Sequence, residues 1–281
     1  MKRSQDADAY TIKIGKERLA QAAQLPAQPY SLSASKTIIF DTETTGLNPG
    51  EDEIIQISII DGLGNVLINE LVHPYWKKSW SEAARVNGIT PDRVVNAPYP
   101  HELIPKVKGI FAAADLLVAY NNQFDLNFLE EWGIQAIGKK QFDVMLAFAR
   151  EYGEWNDFFC DYKWQKLGTA AAYYGYHFRA HDSLEDVRAT LYIFDQMQHS
   201  NKRELFEDYF WEDSEDEFDC GCLHCSCEHA SSGISQNSAE ISVCTVDRGG
   251  ISPGLSGVGQ YTGGISFDGE CRADQTDECD R

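Results

Sequence analysis

No stretch of this chain approaches the roughly 20 consecutive apolar residues that a helix needs to span a bilayer, so a membrane is not expected among its partners. The N-terminus, MKRSQDADAYTIKIGKERLAQAAQ, lacks the apolar core of a secretory signal, and a cytoplasmic location is the expectation. Positive charge is scarce: 24 Lys and Arg stand against 44 Asp and Glu, a net charge of −20. That argues against broad, salt-driven adhesion to nucleic acid, which needs Lys and Arg at the phosphates. It leaves room for local capture of a strand end through metal ions. Cysteine is nearly missing from the first 200 residues, where Cys160 stands alone; the other seven lie beyond. Without a secretory signal, metal binding or idle thiols are better readings of that cluster than a disulfide framework.

The charge is as uneven as the cysteines. Residues 201–281 hold 5 basic and 18 acidic residues, against 19 and 26 in residues 1–200. The acidic run EDSEDEFD (212–219), the cysteines and a Gly/Ser-rich stretch succeed one another with little periodicity. A packed core cannot be drawn from such a segment, so 201–281 is expected to be a largely disordered tail. Residues 1–31 read as an extension with one short helix around Lys16–Gln24, stopped by Pro26 and Pro29. Residues 32–200 are expected to fold as one domain.

Within that domain, KTIIFD (36–41) and EIIQISIID (53–61) are apolar runs suited to buried strands, and Val66–Val72 comes after the turn cluster DGLGN. Three runs joined this closely predict an antiparallel meander. Ser79 and Glu82 have capping-box spacing before a short helix ending at Gly88, and Thr90–Pro91 is a helix start. Helical spacing is expected over His101–Ala114, Phe124–Trp132, Asp143–Tyr152, Lys163–Gly175 and Ser183–His199, with LLVAY (116–120) as a strand between the first two. Such an order predicts a mixed α/β fold.

Three acidic segments sit at boundaries between these elements. Asp41 and Glu43 lie two apart where the first strand ends, and so face the same side. Asp125 falls in the first turn of a helix after LLVAY, where the helix dipole favours a carboxylate. In HDSLED (181–186), Asp182 and Glu185 can form a capping box with Asp186 one turn inside the helix. Singly, each has an ordinary explanation: a solvated strand end, a dipole-matched acid, a surface histidine. Their occurrence together, each at an element boundary, asks for a shared reason.

FDTETTGL, YNNQFDLNFL and HDSLEDV together resemble the three exonuclease motifs of the DEDDh superfamily. The resemblance is to its DnaQ-like group, typified by the epsilon proofreading subunit of bacterial DNA polymerase III. ARVNGITPDRV, FDVMLAFAR and KWQKLGTAAAYYG resemble the intervening family segments, and the likeness covers about residues 34–198. It implies an RNase H-like fold with a mixed five-stranded sheet flanked by helices. It implies 3′→5′ hydrolysis of nucleic acid to nucleoside 5′-monophosphates, with Asp41, Glu43, Asp125 and Asp186 as metal ligands and His181 as general base. One departure is visible: Tyr120-Asn121 stands where many relatives have His-Asn.

The chemistry suits the residues. Phosphodiester cleavage must stabilise an attacking hydroxide and a departing oxyanion, which two divalent ions about 4 Å apart can do. Four carboxylates favour Mg²⁺ or Mn²⁺, and a histidine with a pKa of about 6.5 suits proton abstraction. By the same resemblance, the backbone of Thr44 and Gly46 would meet the 3′ terminus, with Leu47 and Phe124 against the last base; core packing is the competing role for Phe124. Single-stranded DNA is the favoured partner, RNA the alternative, and proofreading would require a DNA polymerase in trans. A rival of another class is a non-catalytic adaptor, against which the filled catalytic positions speak. In the tail, CGCLHCSCEH (220–229) offers thiolates and imidazoles to a Zn²⁺ ion, or is a reactive unstructured cluster.

Overall fold

The computed structural model of the chain describes residues 2–199 and 210–212, with the side chains of residues 7–199 and Phe210. Its helices are α1 (Lys2–Ala22), α2 (Ser81–Asn87), α3 (Pro91–Val94), α4 (Pro100–Ala113), α5 (Asn122–Glu131), α6 (Val144–Tyr152), α7 (Leu167–Tyr173) and α8 (Ser183–His199). The strands of the main sheet are β1 (Thr37–Thr44), β2 (Ile54–Asp61), β3 (Val66–Leu71), β4 (Leu116–Ala119) and β5 (Lys140–Asp143). A two-stranded hairpin, β6 (Trp155–Asn156) and β7 (Asp161–Tyr162), is separate from that sheet, and β8 (Phe210–Glu212) completes the sheet's edge.

The sheet order is β3-β2-β1-β4-β5-β8. β1, β2 and β3 form the expected antiparallel meander. β4 then pairs in parallel with β1, and β5 in parallel with β4, each reached through a helical crossover. The five-stranded mixed sheet with flanking helices is therefore present. β8 adds a sixth, antiparallel strand on β5, within the segment expected to belong to the tail. The candidate zinc cluster at 220–229 lies outside the described residues, and so does most of the acidic run.

β1 shows why the apolar runs are continuous. Ile38 and Phe40 face a core shared with α1, α4 and α5, built from residues such as Leu19, Val107 and Phe128. Ile39 faces the opposite core, with Phe148, Val187 and Ile193 of α6 and α8. Covered on both faces, the strand needs apolar residues at every position. The same alternation carries on to the strand's end, where Thr42 lies on the α5 side and Asp41 and Glu43 on the α8 side.

Some expectations about the helices are revised. The N-terminal helix runs 21 residues rather than one short stretch. Leu19 and Ala22 are buried in the main core, and Lys108 donates to the carbonyls of Ala23 and Leu25 at 2.6 and 3.1 Å, tying off the helix end. α2 starts at Ser81 with Trp80 at its cap and no side-chain capping bond, so the Ser79–Glu82 box does not form; the stop at left-handed Gly88 does. On α8 the buried face is centred on Val187, Ile193, Phe194 and Met197, while Leu184 and Leu191 are only partly buried. Among the described residues no helix is long and apolar enough to cross a membrane.

Candidate active site

At its C-terminal end β1 is irregular. Its register with β2 shifts between Glu43 and Thr44, a bulge of the kind that re-aims side chains at strand ends. Asp41 and Glu43 emerge there toward α8. Asp125, in the first turn of α5, approaches from the other side and accepts from both the backbone N–H and the hydroxyl of Thr42, at 2.8 and 2.7 Å. Asp186, in the first turn of α8, accepts the backbone N–H of His181 at 3.1 Å. Glu43, His181 and Asp186 each present a ligand atom, and these atoms lie within 4.8 Å of one another.

Two of the turns that deliver these residues are strained. Asn121, which caps α5, has φ 66° and ψ 56°, and His181 has φ 67°. Non-glycine residues enter this left-handed region at a cost, with Asn and His among the more tolerant. The Asn121 turn is braced by Asp143, which accepts from Asn121 N at 3.2 Å and Asn122 N at 2.8 Å. The same carboxylate caps α6 through Met145 N and Leu146 N. Asp182 contributes its own cap to α8 through Leu184 N at 3.2 Å. Glu185 does not close the expected box; it pairs with Arg188 at 2.7 Å.

The electrostatics of the cluster are dominated by burial and by like charge. Asp41 is raised well above the ordinary carboxylate range, first by burial and then by the charges of Asp125, Glu43 and Asp186. Glu43 is pushed up to about 8 by burial and by Asp186. Asp125 is raised to about 7, chiefly by burial against the opposing bonds from Thr42. Asp186 is raised to about 7 by burial, with Asp182 and Glu185 adding to it. Four carboxylates in one partly desolvated space cannot all stay ionised unless a cation offsets them; without one, some retain protons.

The donor set fits a cation. Asp41 Oδ2 and Asp186 Oδ1 are buried oxygens without a hydrogen-bond partner, which is costly unless something positive is bound. All four acids offer hard oxygen donors, and the group of Glu43, His181 and Asp186 can hold a metal ion. The other residues expected to meet substrate differ in exposure. Thr44 Oγ1 donates to Gly46 O at 2.6 Å, and Leu47 is 57% exposed. Phe124 is half-buried, its ring 5.1 Å from Phe128, so it packs on the core whatever else it touches.

Several supporting residues escaped the motif reading. Thr42 holds Asp125, and the Ser183 hydroxyl reaches the Asp41 carbonyl at 3.2 Å. Asn87 donates to Thr44 O at 3.3 Å, and its side chain works against the upward shift of Glu43. Asp52 pins the loop after β1, taking Thr45 Oγ1 at 3.1 Å and Asn48 N at 3.1 Å while paired with Lys77 at 2.7 Å. Thr42 and Ser183 lie inside the motifs and Asn87 inside ARVNGIT, so their neighbourhood was signalled although their bonds were not.

Residues 38–194 match the RNase_T family model, described as exonuclease. The chain is 34% identical over 173 residues to the uncharacterized exonuclease CP81 of Escherichia phage 186, covering 57% of this chain and 87% of the phage protein. It is 30% identical over 163 residues to the PolC-type DNA polymerase III of Thermotoga maritima, covering 56% of this chain but 11% of that polymerase. In three dimensions it resembles Escherichia coli exonuclease I in complex with a dA16 oligonucleotide, with a TM-score of 0.50 at 19% identity, over 61% of this chain and 42% of that one.

Proposed function

From the fact that the chain belongs to the RNase_T exonuclease family, we propose that it hydrolyses nucleic acid from the 3′ end, releasing nucleoside 5′-monophosphates. The carrying observation is the convergence of Asp41, Glu43, Asp125 and Asp186, with two buried oxygens left without a partner. These four would hold a pair of Mg²⁺ or Mn²⁺ ions. Bound there, the ions would offset charge on the reacting phosphate and lower the pKa of the attacking water.

The chain's own residues supply the rest. His181 is exposed on its loop, within reach of the Glu43 and Asp186 oxygens, so its imidazole can accept a proton from a water at that edge of the cluster. Its strained backbone and its N–H bond to Asp186 Oδ2 fix where the ring starts from. Thr42 keeps one oxygen of Asp125 occupied and so orients the other. The loop at Thr44, Gly46 and Leu47, pinned through Asp52, would seat the terminal nucleotide, with exposed Leu47 against its base and Phe124 beneath.

DNA is the favoured substrate, since exonuclease I is seen with a DNA oligonucleotide and the PolC-type relatives are DNA polymerases. A proofreading role would bring a DNA polymerase in trans. RNA is the alternative on the same scaffold. The test is hydrolysis of 3′-labelled single-stranded DNA, duplex DNA and RNA with Mg²⁺, Mn²⁺ or EDTA. Metal-dependent release of labelled mononucleotide, lost in Asp41→Ala and His181→Ala, is expected. Release that survives both substitutions would overturn the assignment of residues.

A further inference from the structure

Four large aromatic side chains are exposed around one short hairpin. Phe158 is 83% exposed, Phe159 68%, Trp164 62% and Trp155 48%. Isolated apolar residues on a surface need no explanation, but four exposed rings gathered on one short hairpin mark a candidate contact surface. The hairpin is ordered internally. Asn156 Oδ1 accepts the N–H groups of Phe158 and Phe159 at 3.0 and 3.4 Å, which shapes the tip. The two tip rings lie 4.9 Å apart and perpendicular, and Trp155 meets Tyr162 edge to face at 5.1 Å. Lys163 pairs with Glu154 at 2.7 Å and closes the base.

Its place in the fold ties it to the carboxylate cluster. Tyr120 donates its hydroxyl to Gln165 O at 2.6 Å, so the exit of the hairpin rests on the end of β4. That strand end leads directly through Asn121 to Asp125. From Gln165 the chain runs through α7 and the next loop to His181. The hairpin is thus held by a hydrogen bond to the strand end that leads to Asp125, and leads along the chain through α7 to the loop of His181.

We propose that this hairpin is a stacking platform for nucleobases of the substrate strand, a few nucleotides upstream of the end being hydrolysed. The proposal rests on the reading of the chain as a 3′→5′ exonuclease. Every base has an aromatic face, so a set of exposed rings grips a single strand without reading its sequence. The charges on the hairpin point to base rather than phosphate contact. Lys163 is neutralised by Glu154, while Asp157 and Asp161 are exposed on the same turn. The grip is therefore expected to depend weakly on salt, unlike binding through phosphates.

The test uses the full chain with Phe158→Ala/Phe159→Ala and, separately, Trp164→Ala, all at exposed positions. Two substrates separate the platform from the chemistry: a long oligothymidylate, and the p-nitrophenyl ester of thymidine 5′-monophosphate, which has no upstream base. The expected result is a rise in KM for the oligonucleotide of roughly tenfold per lost stack, with kcat and ester hydrolysis unchanged. Affinity for a fluorescein-labelled oligothymidylate, read by anisotropy in EDTA at low and high salt, should fall in parallel. Unchanged KM and affinity would overturn the platform and leave the surface to a protein partner. Equal losses on the ester would also overturn it, since the hairpin would then act on the site itself. A wild-type protein that hydrolyses neither substrate refutes the exonuclease reading, while the anisotropy still decides on the hairpin.

Discussion

Removing the charge of Asp125 should flatten the pH dependence of stability in the metal-free protein. Asp125 is 2% exposed and its pKa rises from the ordinary 3.8 to about 7, mainly through burial. The folded state therefore keeps a proton that the unfolded state has released between those two values. The contribution of Asp125 to stability is complete below about pH 4 and is lost as pH rises toward 7, at about 1.4 kcal/mol per pH unit. Over the whole window the loss is on the order of 4 kcal/mol, or about 8–16 °C in Tm for a domain of this size. Asp125→Asn keeps an acceptor for the two Thr42 donors and cannot ionise. It also relieves Asp41, which Asp125 raises, so the effect keeps its sign. Thermal melts of both proteins in EDTA from pH 4.5 to 8 make the comparison. The wild type should lose several degrees more than the variant, and millimolar Mg²⁺ should restore the wild type near pH 8. Parallel curves for the two proteins would refute the reasoning.

Three further outcomes rest on the same contacts. His181→Ala should lower kcat by about 10²–10⁴-fold with little change in KM; a change in KM alone would assign His181 to binding. Thr42→Val keeps the shape of the side chain but strips one donor from a buried carboxylate, for a loss of about 1–3 kcal/mol in urea unfolding and a weaker Mg²⁺ affinity by calorimetry. A neutral result in both would remove Thr42 from the site. Leu19→Ala should cost about 2–5 kcal/mol, because α1 packs into the main core; stability within error of the wild type would show that the N-terminal helix adds nothing to the fold.

What is legible in the sequence and what is not divides along physical lines. The strands of the meander and helices α4, α5, α6 and α8 bury whole faces, so periodicity shows them within a few residues. The N-terminal helix is understated because a largely polar segment touches the body at few positions, among them Leu19 and Ala22. β5 escapes because its four residues, KQFD, carry one large apolar side chain. The hairpin Trp155–Tyr162 escapes because its order comes from the Asn156 side chain and ring contacts rather than from alternation. At the site, the family resemblance singles out Asp41, Glu43, Asp125, His181 and Asp186, which the fold brings near one another, whereas their types and spacing alone allow each an ordinary explanation. Their brace is not legible: Thr42, Asn87, Asp143 and Ser183 act through long-range hydrogen bonds that no local pattern records.

The central claim is that the Asp41, Glu43, Asp125 and Asp186 cluster removes nucleotides from a 3′ end when divalent metal is bound. A 5′-labelled single-stranded oligonucleotide, sampled over time with Mg²⁺ and resolved on a sequencing gel, tests it most directly. The expected result is a ladder of products shortened one nucleotide at a time, each retaining the 5′ label, abolished by EDTA and by Asp41→Ala. Immediate release of the 5′ label as a mononucleotide, or a ladder that persists in EDTA, would contradict it.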